Sequence, residues 1–151
     1  MFFVSTPTAR DLRIHVYDKL LAGGRPPTIG EIAEHFAISP ADSRRAIAEL
    51  KIGKTILPDP NTGEIWMAGP FSAGPTAYRV IGRRAQWFAN CAWDMLGIAV
   101  IADEEVRIEA QCTDCGAPMT IRANPWTPPI AEGVVHFLIP ARRWYEDVGF
   151  T

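Results

Sequence analysis

Apolar residues recur at helical spacing through the first third of the chain. Leu12, Val16, Leu20 and Leu21 share one side of a helix over residues 8–22, which Gly23 and Gly24 close. Thr28 has the form of an N-cap, with Glu31 three residues on to complete a capping box. The helix it opens carries Ile29, Ile32, Ala33 and Phe36. Ser39 caps a third helix, with Pro40 in its first position and Ala46, Ile47 and Leu50 apolar. Residues 56–57, the turn-rich stretch 58–63 and residues 64–67 then predict a short hairpin. Three helices and a hairpin are the outline of a winged helix-turn-helix, with Arg44 and Arg45 as groove-facing candidates on the third helix.

The pattern changes beyond this unit. Residues 69–77 are rich in Pro and Gly and predict a linker. Residues 78–81 predict a strand and 82–84 a turn. Residues 85–97 predict a helix apolar on nearly every side, through Trp87, Phe88, Cys91, Trp93, Met95 and Leu96; such a helix is a buried one. Residues 106–111 alternate as a half-buried strand does, 112–116 form a tight turn, and 119–123 return. A third strand is expected over 134–139 and a short helix over 140–147. The expected class is α+β: a winged-helix-like helical domain over 1–68, a linker over 69–77, and a mixed helix and antiparallel-sheet domain over 78–151.

The apolar helix holds the residues with chemistry. Cys91 and Asp94 stand three apart, so on a helix they share a face. A thiolate is a soft ligand and nucleophile, and a carboxyl group gives or takes a proton. The plainer alternative is a buried cysteine beside a surface aspartate paired with Arg83 or Arg84. A carboxyl group in so apolar a helix needs a partner or a raised pKa. Cys112 and Cys115 form a C-x-x-C on a hairpin turn, the knuckle of a zinc ribbon. A structural zinc takes four ligands, and Cys91, His15, His35 and His136 supply no second knuckle, which argues against one. The pair lies between two strands rather than at a helix start, which argues against a thioredoxin-type role.

Charge and composition narrow the classes. The 151 residues carry a formal net charge of −2. That balance gives no support to nonspecific nucleic-acid binding, which works by phosphate neutralisation. No stretch has the form of a signal peptide, and the longest apolar run, residues 95–102, is too short to cross a bilayer. No membrane partner is expected, and a cytoplasmic location is the default. Three cysteines, an odd count, fit reduced thiols better than a disulfide framework.

With these residues in view, the chain resembles the bacterial organomercurial (alkylmercury) lyases. The resemblance rests on the order of three pieces behind the winged-helix-like region: Cys91-Ala92-Trp93-Asp94, then the stretch from Cys112 to Pro118, then a segment ending in Leu138-Ile139-Pro140. It implies protonolysis of a carbon–mercury bond, releasing a hydrocarbon and leaving bound Hg(II). It implies an organomercurial substrate, low-molecular-weight thiols as partners, and no required cofactor. Cys91 would be the mercury-binding thiolate and Asp94 the proton shuttle. Cys112 falls on a family cysteine position of structural character. Cys115 is an addition to the pattern, and both thiols stand as further metal ligands. The family has a second catalytic cysteine about where this chain ends, at Thr151. Two accounts fit that departure: a truncated or divergent relative, or a frame stopped at a UGA codon that encodes selenocysteine. The alternatives to a lyase are a winged-helix DNA-binding regulator or metal sensor, and a noncatalytic metal-binding or partner-binding relative.

Overall fold

Among the described residues, three of the four α-helices begin with a hydroxyl at the N-cap and an acid three residues later. The computed structural model describes residues 7–129 and 133–147. Thr8 and Asp11 form a capping box at the start of α1 (Ala9–Gly23), and Thr28 and Glu31 form another at α2 (Ile29–Phe36). Ser39 accepts the Asp42 backbone N–H at α3 (Pro40–Leu50), whose first residue is proline as expected. Helix α1 ends on Gly24 in the left-handed region, at φ 77°. A Cβ on Gly24 would lie 2.3 Å from the Gln86 carbonyl oxygen, so glycine there lets the helix end settle on the sheet.

Among the described residues the strands form one seven-stranded antiparallel sheet. Its strands are β1 (Ile56–Pro58), β2 (Ile65–Ala68), β3 (Phe71–Ser72), β4 (Arg79–Ile81), β5 (Gln86–Ala89), β6 (Val106–Gln111) and β7 (Pro118–Ala123). They lie in the order β1-β2-β3-β5-β4-β6-β7. Helix α4 (Ala92–Ala102) connects β5 to β6. The fold is α+β, as expected. The three helices and the β1–β2 hairpin come in the order read from the sequence, but β2 also pairs onward with β3, so the hairpin is part of the common sheet.

Three expectations are corrected. The stretch 69–77 carries β3, which pairs with β2 on one side and β5 on the other. Its two-residue length leaves no alternation to read. Residues 85–97 are not one helix: they divide into β5, a bend at 90–91 and α4. Trp87 and Ala89 are buried while Phe88 is only half-buried, a period of two hidden because the outer residue is apolar as well. Residues 134–139 form no strand; the only regular structure among the described residues beyond β7 is a short 3-10 turn, Ala141–Arg143. A run of apolar residues becomes a strand only when a sheet edge pairs with it, and here Phe137 packs on aromatic rings instead.

One apolar core joins helices and sheet, with Leu12, Val16, Leu20, Ile32 and Ile47 from the helices and Phe71, Val80, Trp87 and Ile108 from the strands. Trp87 is fully buried, and its indole N–H donates to the Leu20 carbonyl across 2.7 Å. Tyr17, one turn earlier on α1, donates its hydroxyl to the Gly69 carbonyl at 2.6 Å. These two bonds, far apart in sequence, fix α1 against the strands that carry the candidate site. His15, among the zinc-ligand candidates, is buried and stacks on His35 with ring centroids 3.8 Å apart.

Candidate active site

Cys91 is the N-cap of α4, and Asp94 is that helix's third residue. The pair therefore repeats the register of Thr8–Asp11, Thr28–Glu31 and Ser39–Asp42, with a thiol in place of the hydroxyl. The spacing argument from a helical face holds in a modified form: Cys91 lies at the helix's threshold, and its side chain lines the same cavity as the Asp94 carboxyl group. The backbone N–H groups of Trp93 and Asp94 face the sulfur without closing a formal cap bond. Sulfur is larger and a weaker acceptor than a hydroxyl oxygen, so the cap stays open and the sulfur stays available.

The electrostatics of the pair come from burial. Desolvation pushes the Cys91 thiol above its ordinary pKa, and the Asp94 charge adds to it, while the two facing amides pull the other way. Desolvation also raises the Asp94 carboxyl group, against the opposing pull of the Asn90 amide and the neighbouring Cys91 thiol. The Asn90 side-chain amide lies 3.3 Å from an Asp94 carboxylate oxygen. The proposed pairing of Asp94 with Arg83 or Arg84 is thus replaced: Arg83 instead bonds buried Glu104, through Nε at 2.8 Å and its backbone N–H at 3.2 Å. Tyr17 sits near enough for the Asp94 charge to help raise its own pKa, although burial is the larger cause.

Cys91 and Asp94 open into a cavity of about 310 Å³. Its other walls come from distant parts of the chain: Lys54 from the turn before β1, and Phe137, Trp144 and Tyr145 from the segment beyond β7. Phe137 lies 4.9 Å from Trp144 and 6.4 Å from Trp93, centroid to centroid, and the Lys54 ammonium sits 4.8 Å from the centre of the Tyr145 ring. The site is a mostly apolar chamber with four aromatic rings, one thiol, one carboxyl group and one cation. Asn90, Lys54 and the aromatic wall were missed from the sequence. Asn90 had a signal, as the residue adjoining Cys91; the others become neighbours only through the fold. A larger depression of about 590 Å³, with Arg13, Glu49 and Ile52 among its lining, contains no thiol.

The remaining expected residues lie elsewhere. Cys112 and Cys115 occupy the turn between β6 and β7 and do not line the Cys91 cavity. Among the described residues no three His, Cys, Asp or Glu side chains gather as a metal-binding group. All three cysteines are free thiols. Of the groove-facing candidates, Arg45 pairs with Asp42, and Arg44 packs beside Gly63. Residues 148–151, where a further element and the family's second thiol were expected, lie outside the described residues. Among those described, no helix is long and apolar enough to cross a membrane.

A thiol and a carboxyl group thus share one cavity on an α+β frame. The family model described as MerB, alkylmercury lyase, matches residues 71–151, more than half of the chain and every part of it that carries the three cysteines. The chain belongs to the alkylmercury lyase family. Its fold is similar to that in a crystal structure of the mercury-bound form of MerB2, with a TM-score of 0.62 at 16% identity. That similarity covers 83% of this chain and 62% of the other, so the chain spans less than two thirds of the MerB2 chain's length. No curated protein sequence matches the chain. These comparisons give no support to a nucleic-acid partner.

Proposed function

We propose that this protein cleaves carbon–mercury bonds by protonolysis, with Cys91 as the mercury ligand and Asp94 as the proton carrier. The observation that carries the reading is that the Cys91 thiol and the Asp94 carboxyl group, cap and third residue of one helix, line a single cavity. An organomercurial thiolate, R–Hg–SR′, exchanges its sulfur ligand for Cys91. The Cys91 proton passes to Asp94 in its ionised form, and the displaced R′S⁻ leaves to be protonated by solvent. Mercury's softness drives the exchange, since thiolates bind soft metals best. A second thiolate from solution then coordinates mercury and enriches the electron density on the bound carbon. Asp94 gives its proton to that carbon, the carbon–mercury bond breaks, and R–H leaves with Hg(II) held by two sulfurs.

Burial serves both halves of the cycle. It raises the Asp94 pKa toward the range where one carboxyl group can accept and return a proton. The aromatic wall of Trp93, Phe137 and Trp144 offers an apolar seat for the organic group, and an arylmercurial suits it best. A reducing cytoplasm would keep the thiols free and supply the second sulfur.

The test is hydrocarbon release. Incubated with phenylmercuric acetate and excess glutathione, the reduced protein should yield benzene, measured by gas chromatography of the headspace. The Cys91→Ser protein should yield none above the buffer rate. Release that survives the loss of Cys91, or wild-type release no faster than buffer with thiol alone, defeats the reading.

A further inference from the structure

The C-x-x-C turn takes no part in the chemistry proposed for the cavity, yet it is built as a ligand loop. Strands β6 and β7 pair in unbroken register from Val106↔Ala123 to Gln111↔Pro118. Just beyond, the Cys112 backbone N–H donates to the Ala117 carbonyl at 2.9 Å, and the Gly116 N–H donates to the Cys112 carbonyl at 2.9 Å. Gly116 turns the chain back at φ 71°, a conformation that glycine adopts without steric cost. Cys112 is half-buried and Cys115 exposed, and both thiols stand on this one hydrogen-bonded turn. Two free thiols on a hydrogen-bonded turn form a dithiol clamp open to solvent.

The number of ligands selects the metal. No third His, Cys, Asp or Glu joins the pair among the described residues. Zinc in a structural site asks for four protein ligands. A soft ion content with two thiolates in a near-linear arrangement asks for no more than this turn provides.

We propose that Cys112 and Cys115 form a second mercury site, which takes inorganic Hg(II) from small thiols in solution as a chelated bis-thiolate. The exchange is Hg(SR)₂ plus the two cysteine thiols, giving Hg(II) bound to Cys112 and Cys115 plus two RSH. Two mercury–sulfur bonds form, two break, each cysteine proton leaves on a displaced thiol, and nothing is oxidised or reduced. Once one sulfur has bound, the second is already in place at high effective concentration, so the clamp holds the ion where a single thiol exchanges it away. The clamp stands apart from Cys91 and does not depend on the lyase reading.

The experiment uses the reduced full chain, loaded with mercuric chloride, then passed through gel filtration in excess glutathione, with retained mercury measured by atomic absorption. Wild type and Cys91→Ser should both retain one Hg(II) per chain. Cys112→Ser and Cys115→Ser should each retain at least about tenfold less, because the chelate is lost. Circular dichroism confirms folding, and Cys115→Ala, at an exposed position, provides a second check. Retention that disappears with Cys91→Ser, or that persists in either clamp variant, overturns the proposal. Benzene release should be unchanged in the clamp variants. Retention without benzene release in the wild type would defeat the lyase reading and leave the clamp standing.

Discussion

The starts of α2 and α4 share one register and opposite electrostatics. At α2, Thr28 caps the helix, and Glu31 returns a carboxylate to the Thr28 backbone N–H at 2.8 Å. Glu31 also pairs with Arg25 at 2.6 Å, and these bonds hold its pKa down to about 2 from 4.5. At α4 a thiol takes the cap and the acid is buried beside it, so the Asp94 pKa moves up instead. A device that ends helices cheaply at the surface becomes, once buried and given sulfur, the proton-holding pair of the proposed reaction. The position of the residues is the same; solvent and the identity of the cap atom decide what they do.

The strongest way to break this comparison is Asp94→Asn. The amide preserves size and some hydrogen bonding but carries no transferable proton, so benzene release should fall by about 10²–10⁴-fold, the usual worth of a general acid–base group. Mercury labelling of Cys91 should persist, which mass spectrometry of the intact protein would show. Full activity in this variant would make Asp94 merely structural. At α2, Thr28→Ala should cost about 1 kcal/mol of stability in urea unfolding, the normal value of a helix cap. Cys91→Ser should go the other way, gaining about 0.5 kcal/mol by completing a hydroxyl cap at α4, while mercury capture in the cavity is lost.

The finest distinction is in pH. The Glu31 pKa is depressed, so its contribution is present above 4.5 and is lost as the pH falls toward about 2. The Asp94 pKa is raised, so relative stability is fully present below the ordinary 3.8 and is lost as the pH rises through its folded value. In thermal melts, Glu31→Gln should lose its disadvantage against wild type on acidification from pH 4.5. Asp94→Asn should be more stable than wild type at pH 7, with the advantage shrinking as pH falls toward 3.8. Parallel pH profiles for the two variants would remove the claimed opposition.

The caps at Thr28 and Ser39 were readable because they depend on a few adjacent residues. The meeting of Cys91 with Asp94 was readable for a similar reason: a spacing of three brings side chains together within a helix and also across its first turn. The boundary between β5 and α4 was not, because Phe88 fills the outward position of the strand with an apolar ring and erases the alternation. The two-residue β3 owes its state to neighbours on both sides rather than to its own composition. The aromatic wall lay beyond local reading altogether. Phe137 and Trp144 sit in a segment without repeating structure, and only closure over α4 gives them a role.

The cavity draws its walls from Lys54, from the Asn90–Asp94 turn and from residues as late as Tyr145. A ribosome delivers these pieces in that order, and domains assemble as their parts emerge. The sheet from β1 to β5 and the N-terminus of α4 precede the aromatic wall in the chain by dozens of residues. Cys91 therefore emerges as an uncovered thiol, and its chamber is roofed only once Phe137, Trp144 and Tyr145 have followed it from the ribosome.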